Sequence, residues 1–346
     1  MKGTDTAALK CRSAIPAFAF FWVLLIPASG MSQMTSGLAE CAKIQDDAER
    51  LRCYDQLAGR ESAAQETKAE PSPMPEVKKP QEPSYFSRLW ELDKETRRGP
   101  YSLAPYRSNY ILPFTYNTSP NSDVIHEADP NQDVQNTEVK FQLSLKVKLW
   151  QDIFGKEMDL WFGYTQLSFW QLYDFEDSSP FLETDYQPEL LLNFKTRYRL
   201  LGLTGRFIQV GLNHQSNGQT EPLSRSWNRI VANFGLERGR LSLLLKGWYR
   251  IPESAESDDN PDIEDYLGYG EFWATYIWKK NKFDAMVRNN LQFPENCGAL
   301  QLEWSFPLIS RVSGFVQYFV GYGESLLDYN HYNNRIGLGF ILTDWD

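Results

Sequence analysis

Residues 139–149 alternate without a break. Val139, Phe141, Leu143, Leu145, Val147 and Leu149 are apolar, and Lys140, Gln142, Ser144, Lys146 and Lys148 between them are polar. A two-residue period places side chains on opposite faces of an extended strand, so one face of this segment is wholly apolar. Strands in soluble sandwiches average about five or six residues, whereas a tilted strand crossing a bilayer needs about 9 to 11. The chain ends on the same theme: Ile336, Leu338, Phe340 and Leu342 alternate with Gly337, Gly339 and Ile341, and Trp345 precedes the final Asp346. Past the first thirty residues, no stretch approaches the roughly 18 to 20 apolar residues of a membrane helix. A membrane-embedded chain of this kind must therefore satisfy its backbone by closing a sheet into a barrel.

Composition narrows the choice further. Aromatic residues make up 14% of the chain, including 18 Tyr and 11 Trp, yet the mean hydropathy is −0.48. Such a chain is rich in amphipathic rings and too polar for a helical membrane bundle, which leaves a soluble enzyme or a membrane barrel. The net charge of −10 argues against a nucleic-acid partner, which calls for a basic face. Clusters such as Trp161-Phe162-Gly163-Tyr164, Phe272-Trp273-Ala274-Thr275-Tyr276 and Tyr318-Phe319 suit interfacial girdles, and the polar stretches 172–187 and 252–266 suit long loops. At roughly 20 residues per strand with its connection, the last ~250 residues predict twelve antiparallel strands around a polar lumen.

The N-terminal segments read differently. Lys2, Lys10 and Arg12 precede an uncharged apolar run from Ala14 to Ile26, followed by Ala28-Ser29-Gly30; this predicts a secretory signal over residues 1–30. Residues 31–58 read as a small helical hairpin module. Its Cys41 and Cys53 would stand roughly 18 Å apart in one straight helix, but two short helices could bring them together, with Asp46 capping the second. Export favours a disulfide there, since zinc lacks further ligands nearby. Cys11 leaves with the signal, and Cys297 stands alone. The run from Cys41 to Asp55 resembles a module found on various proteobacterial envelope proteins. Residues 59–84 are Pro, Glu, Lys, Ala and Ser with almost no large apolar residue, which predicts a disordered linker. The barrel domain then spans 85–346.

One hairpin breaks the apolar rule. In 207–218, Ile208, Val210 and Leu212 share a parity that continues through His214 and Ser216. In the next strand, Asn228, Ile230, Ala232 and Phe234 share a face, with Arg229 and Asn233 on the other. Folding the hairpin about Glu221 sets His214 opposite Asn228, where paired side chains lie roughly 5 Å apart. Polar groups facing lipid are costly unless they serve each other. A hydroxyl, an imidazole and an orienting amide are the parts of a serine hydrolase: Ser216 as nucleophile, His214 as base then acid, Asn228 as orienting acceptor. The chain has 3 histidines, and neither His126 nor His331 has comparable partners on its face.

The stretch Asn213-His214-Gln215-Ser216-Asn217-Gly218, continuing through Pro222 and Ser224-Arg225-Ser226-Trp227-Asn228-Arg229, resembles the signature of the outer-membrane phospholipase A family. Glu138-Val139-Lys140-Phe141-Gln142-Leu143, Tyr164-Thr165-Gln166, Ser178-Ser179-Pro180-Phe181, Asp258-Asp259-Asn260-Pro261-Asp262 and Gly321-Tyr322-Gly323-Glu324-Ser325-Leu326 match in order. The resemblance implies a twelve-stranded outer-membrane barrel with its active site on the outer surface. It implies hydrolysis of glycerophospholipids at both acyl positions and of lysophospholipids, with Ser216, His214 and Asn228 as the triad. It also implies a calcium requirement, a homodimer, and an oxyanion held by the Ser216 amide and by water polarised by calcium. The calcium positions would be Ser224 and Gln219 on one protomer and Ser178 on the other, with Asp259 matching a monomer site. Gln219 stands where the family usually has arginine.

Two other functions compete. A passive outer-membrane channel explains the alternation but not the shared face of His214, Ser216 and Asn228. A soluble periplasmic esterase would call for a Gly-x-Ser-x-Gly elbow, which the sequence lacks.

Overall fold

The computed structural model describes residues 11, 41, 43–57, 82–176, 178–293, 295–309 and 311–342. The chain divides into two compact units, one of residues 1–16 with 82–346 and one of residues 17–81. Most of the expected signal and linker, and the terminal Trp345 and Asp346, lie outside the described residues.

In the smaller unit, helix α1 (Asp47–Leu57) begins where the sequence predicts. Asp46 Oδ1 accepts the Glu49 N–H at 2.9 Å, satisfying an amide that the helix itself leaves open. Cys41 and Cys53 are disulfide-bonded with Cα atoms 5.6 Å apart, so the chain turns back between them. In the full chain, with residues 1–30 attached, Cys297 pairs with Cys11, 286 positions away, within a buried cluster that includes Trp227, Ile263 and Leu326; the reading of Cys297 as standing alone applies to the chain after the expected signal leaves.

Twelve long strands build the larger unit: β1 (Asn109–Asn117), β2 (Thr137–Trp150), β3 (Met158–Trp170), β4 (Phe181–Lys195), β5 (Leu203–Ser216) and β6 (Ser226–Arg238), then β7 (Leu241–Arg250), β8 (Gly270–Trp278), β9 (Asn281–Asn289), β10 (Gly298–Ile309), β11 (Val312–Tyr322) and β12 (Tyr332–Leu342). Each pairs antiparallel with the next, and β12 returns to β1 through Leu338↔Phe114 and Arg335↔Asn117. The sheet is closed and has no free edge. Two short strands, Leu103–Pro105 and Arg199–Leu200, lie against β2 and β5. Among the described residues, no helix is long and apolar enough to cross a membrane.

The alternation of β2 sorts as predicted. Lys140, Ser144, Lys146 and Lys148 are buried inside the barrel, while Leu143 and, on other strands, Leu190, Leu212, Ile230, Leu302 and Leu338 are exposed on its outside. An apolar belt of this extent suits lipid and not water. Several of the buried charges are paired, which offsets the cost of burying them: Lys140 Nζ meets Glu324 at 2.8 Å, and Arg335 bridges Glu324 and Glu138. One end of the barrel has two-residue turns, Gly239-Arg240 and Lys279-Lys280, and the other has long loops over 118–136, 217–225 and 251–269. In barrels of this architecture the long loops face the cell exterior. Helices α3 (Ser122–Ala128) and α4 (Ile263–Leu267) sit in these loops.

Three details depart from the sequence reading. The polar stretch 172–187 is not all loop, because β4 starts at Phe181 and its Glu183 and Asp185 are buried in the lumen; polar residues pointing inward resemble a loop when only composition is read. Trp161 and Phe319 belong to the interior and not to a girdle. The lumen is also not uniformly polar, because helix α2 (Tyr85–Trp90) enters it at the short-turn end. Phe86, Trp90 and Leu92 pack there against Trp161, Leu191 and Phe207. Glu91, beside them, takes Lys148 Nζ at 2.8 Å. From the opposite wall, Lys282 lies over the Tyr85 ring at 5.7 Å, so α2 spans the lumen from β3 to β9. The ammonium of Lys146 is held 4.1 Å from the centre of the Trp90 ring, where the ring's negative face substitutes for an anion.

Candidate active site

The hairpin of β5 and β6 folds in the predicted register, with Asn213↔Arg229, His214↔Asn228, Gln215↔Trp227 and Ser216↔Ser226. Alternation then gives its two faces different chemistry. Inside, Arg229 donates through Nη2 to Asn213 Oδ1 at 2.6 Å and lies over the Trp227 ring at 3.8 Å, while Trp227 Nε1 donates to Gln215 Oε1 at 3.1 Å. These contacts hold the strand ends rigidly from behind. Outside, His214 Nδ1 lies 2.9 Å from Asn228 Oδ1. An amide oxygen only accepts, so Nδ1 carries the proton and Nε2 is free to take one.

Ser216 shares the outward parity of His214 at the end of β5, flanked by Tyr186 on β4 and Ser226 on β6. Its Oγ accepts the Gly218 N–H at 3.1 Å. Gly218 has a φ of +66°, and an added Cβ would stand 3.3 Å from the Tyr186 ring, so a side chain here would be strained and crowded. Below His214, Ser216 and Asn228, the side chains of Val210, Leu212, Ile230 and Leu190 continue the exposed apolar face. The lumen contains a cavity of about 260 Å³, but none of His214, Ser216 and Asn228 lines it. The three residues belong to the outer surface.

The loops around these three residues are tied together by residues to which the sequence reading gave no role. Asn217 Oδ1 accepts from the Arg225 N–H at 3.0 Å, and its Nδ2 donates to the Leu223 carbonyl at 2.7 Å. Loop 251–269 is fastened on through Asn260 Oδ1, which accepts the Ser226 N–H at 2.9 Å. Arg250 anchors the same loop by donating to Asp258. The Tyr329 hydroxyl donates to Asp262 at 2.6 Å; burial pushes its phenol up, and the Asp262 hydrogen bond and charge add to the rise, so it stays a neutral donor. The Asn228 amide nitrogen donates to Glu253 Oε1 at 3.0 Å. No motif marked Glu253, because it acts through a fold-dependent contact.

Of the four expected calcium positions, the structure brings two together: Ser224 Oγ donates to Asp259 Oδ2 at 2.6 Å. Gln219 is exposed in the same loop as Ser224, with its N–H on Asn217 Oδ1 at 3.3 Å. Ser178 is exposed in the β3–β4 loop with a φ of 61°, and among the described residues no hydrogen bond joins it to the other three. No group of three or more His, Cys, Asp or Glu side chains gathers among the described residues. The donor set is therefore hydroxyl, carboxylate and carbonyl oxygen, which is hard-cation chemistry. It fits calcium as a partial shell, since that ion takes about six to eight oxygens.

Comparison with known proteins adds an independent line. The phospholipase A1 family profile matches residues 86–342. The phospholipase A1 of Klebsiella pneumoniae is 40% identical over 245 residues, covering 71% of this chain and 84% of that protein. Among solved structures, outer membrane phospholipase A from Escherichia coli superposes with a TM-score of 0.66 at 39% identity, covering 71% of this chain and 100% of that one. The Salmonella typhi outer membrane phospholipase, solved as a dimer with bound calcium, superposes with a TM-score of 0.68 at 37% identity over 75% of this chain and 98% of that one.

Proposed function

The chain belongs to the phospholipase A1 family and is an ester hydrolase on an outer-membrane β-barrel, and from that premise we propose that it hydrolyses acyl esters of membrane glycerophospholipids and lysophospholipids with Ser216, His214 and Asn228, requiring calcium and a homodimer. The observation that carries this reading is the 2.9 Å contact of His214 Nδ1 with Asn228 Oδ1 on the lipid-facing side of the barrel, at the end of the strand that presents Ser216 on the same face.

The chemistry follows from the positions. Ser216 Oγ attacks the ester carbonyl carbon while its proton passes to His214 Nε2. As the tetrahedral centre collapses, the glycerol oxygen leaves and takes that proton, and the acyl group remains on Oγ. Water then attacks the acyl carbon and gives a proton to His214, and the acyl–Oγ bond breaks as Oγ is reprotonated. The products are a fatty acid and a lysophospholipid. Asn228 keeps the ring in the tautomer that both halves need. The exposed apolar face of Val210, Leu212 and Ile230 gives acyl chains a surface leading to the triad, so an ester at the headgroup boundary reaches Ser216 without leaving the membrane.

Ser224 and a Gln219 carbonyl would hold calcium on one protomer with Ser178 of a second copy adding to it, and Asp259, which accepts from Ser224, would serve a site used by the monomer. When bound, the ion supplies positive charge and polarised water near the developing oxyanion. The Ser216 N–H is the chain's own donor for that charge.

Proteoliposomes of phosphatidylethanolamine and phosphatidylglycerol test the reading. Calcium-dependent release of fatty acid is expected, and ion conductance without release would favour the channel. The seat of α2 across the lumen weighs against an open pore.

A further inference from the structure

Asn228 uses both ends of its amide. Oδ1 faces His214 Nδ1 at 2.9 Å, and Nδ2 donates to Glu253 Oε1 at 3.0 Å. The two ends of a primary amide are nearly the same size, so space alone does not tell them apart. In the reversed orientation Nδ2 would donate to Nδ1, which would send the imidazole proton to Nε2, the atom that must be empty to receive the serine proton. A carboxylate discriminates, because when ionised it only accepts.

Backbone geometry explains how Glu253 comes to be there. β6 and β7 are paired at Arg229↔Arg250, and the Ile251 N–H donates to the Asn228 carbonyl at 2.8 Å, so the ladder continues past the end of β7. Pro252 then sets a fixed φ, and Glu253 lies beside the outward-facing Asn228. Loop 251–269 thus reaches two groups in the neighbourhood of the triad: Glu253 meets Asn228, and Asp259 meets Ser224.

We infer that Glu253 is a positioning residue, a fourth member behind the triad that orients the Asn228 amide and through it selects the reactive tautomer of His214. This rests on the triad reading above and deepens it. Glu253 touches neither substrate nor the reacting atoms. It acts only through Asn228, and that dependence separates the inference from a simple loop brace.

The experiment uses the full chain in mixed micelles of phosphatidylcholine at saturating calcium, with heat-modifiable gel migration as the check on folding for every variant. Glu253→Ala should lower kcat about tenfold with KM nearly unchanged. Glu253→Gln, whose Oε1 still accepts, should recover most of that loss. Between residues acting as one unit, effects do not add, so Glu253→Ala should cost nothing further in an Asn228→Ala background. With 15N-labelled histidine, three rings are observed, and the Nδ1–H tautomer of the His214 ring should lose population in Glu253→Ala alone. Wild-type kcat in a folded Glu253→Ala protein, full additivity with Asn228→Ala, or an unchanged tautomer would each overturn the inference. Full activity of Ser216→Ala or His214→Ala would instead overturn the triad reading beneath it.

Discussion

Ser224 and Asp259 come from different loops, 35 positions apart, and meet at 2.6 Å through a hydroxyl donating to a carboxylate. The contact sits at the mouth of the hairpin that carries Ser216, where we propose that calcium binds. Ser224→Ala and Asp259→Asn should each raise the free calcium needed for half-maximal fatty-acid release, Asp259→Asn by about tenfold for the loss of a charged ligand. Gln219→Ala should shift it little if only the main-chain carbonyl is used. Unchanged calcium dependence in both Ser224→Ala and Asp259→Asn would remove these residues from the site.

Calcium and association should be linked. If Ser178 completes the shell from a second copy, binding of the ion and of the partner must favour each other by the same factor. Sedimentation equilibrium in detergent should give a tighter dimer with calcium than with chelator, and Ser178→Ala should shrink that difference unless its carbonyl is the ligand. Full activity in a demonstrated monomer without calcium would refute the linkage.

Within the proposed triad, Ser216→Ala should keep the folded barrel and lower turnover by at least about a thousandfold. Asn228→Ala should retain a measurable remainder, since an imidazole less well oriented still accepts a proton. Single-turnover release from radiolabelled phospholipid would resolve both, and normal hydrolysis by pure Ser216→Ala protein would exclude it as nucleophile.

The seat of α2 predicts both stability and conductance. Trp90 is buried against Trp161 and Phe207, so Trp90→Ala should destabilise by about 3–5 kcal/mol. Glu91→Ala leaves the fully buried Lys148 ammonium with Asp159 at 3.6 Å in place of its 2.8 Å partner, a smaller loss of about 1–3 kcal/mol. Denaturant midpoints of the heat-modifiable band would measure each. Deleting residues 82–98 should open ion conductance in planar bilayers, and a deletion protein that stays closed would show that α2 does not block the lumen.

The Cys41–Cys53 disulfide lies in a compact unit separate from the barrel. Replacing both cysteines by serine should leave fatty-acid release from mixed micelles unchanged. A fall in kcat would tie that unit to catalysis.

The strands and the pairing of His214 with Asn228 were legible in the sequence for one reason: a strand has a period of two, so parity alone assigns each side chain to a face. That sufficed to put Lys140 inside and Leu143 outside, and to set His214 opposite Asn228 across a hairpin whose centre could be counted. Where parity was not consulted, composition misled. Glu183 and Asp185 resembled a loop, and Trp161 and Phe319 resembled a girdle, because polarity and aromaticity do not say which side of a barrel wall a residue faces.

The rest depended on closure. Until twelve strands meet edge to edge, no lumen exists for α2 to cross, and six residues from Tyr85 to Trp90 carry no periodicity long enough to announce it. Glu253 reaches Asn228 only because β7 pairs with β6, and Asp259 reaches Ser224 only because the loop after β7 folds back over the preceding one. Local sequence determined which face each strand residue takes, since that is set by backbone geometry within a few residues. The tertiary structure decided which loop groups meet, since contacts between distant segments depend on where the closed sheet places their ends.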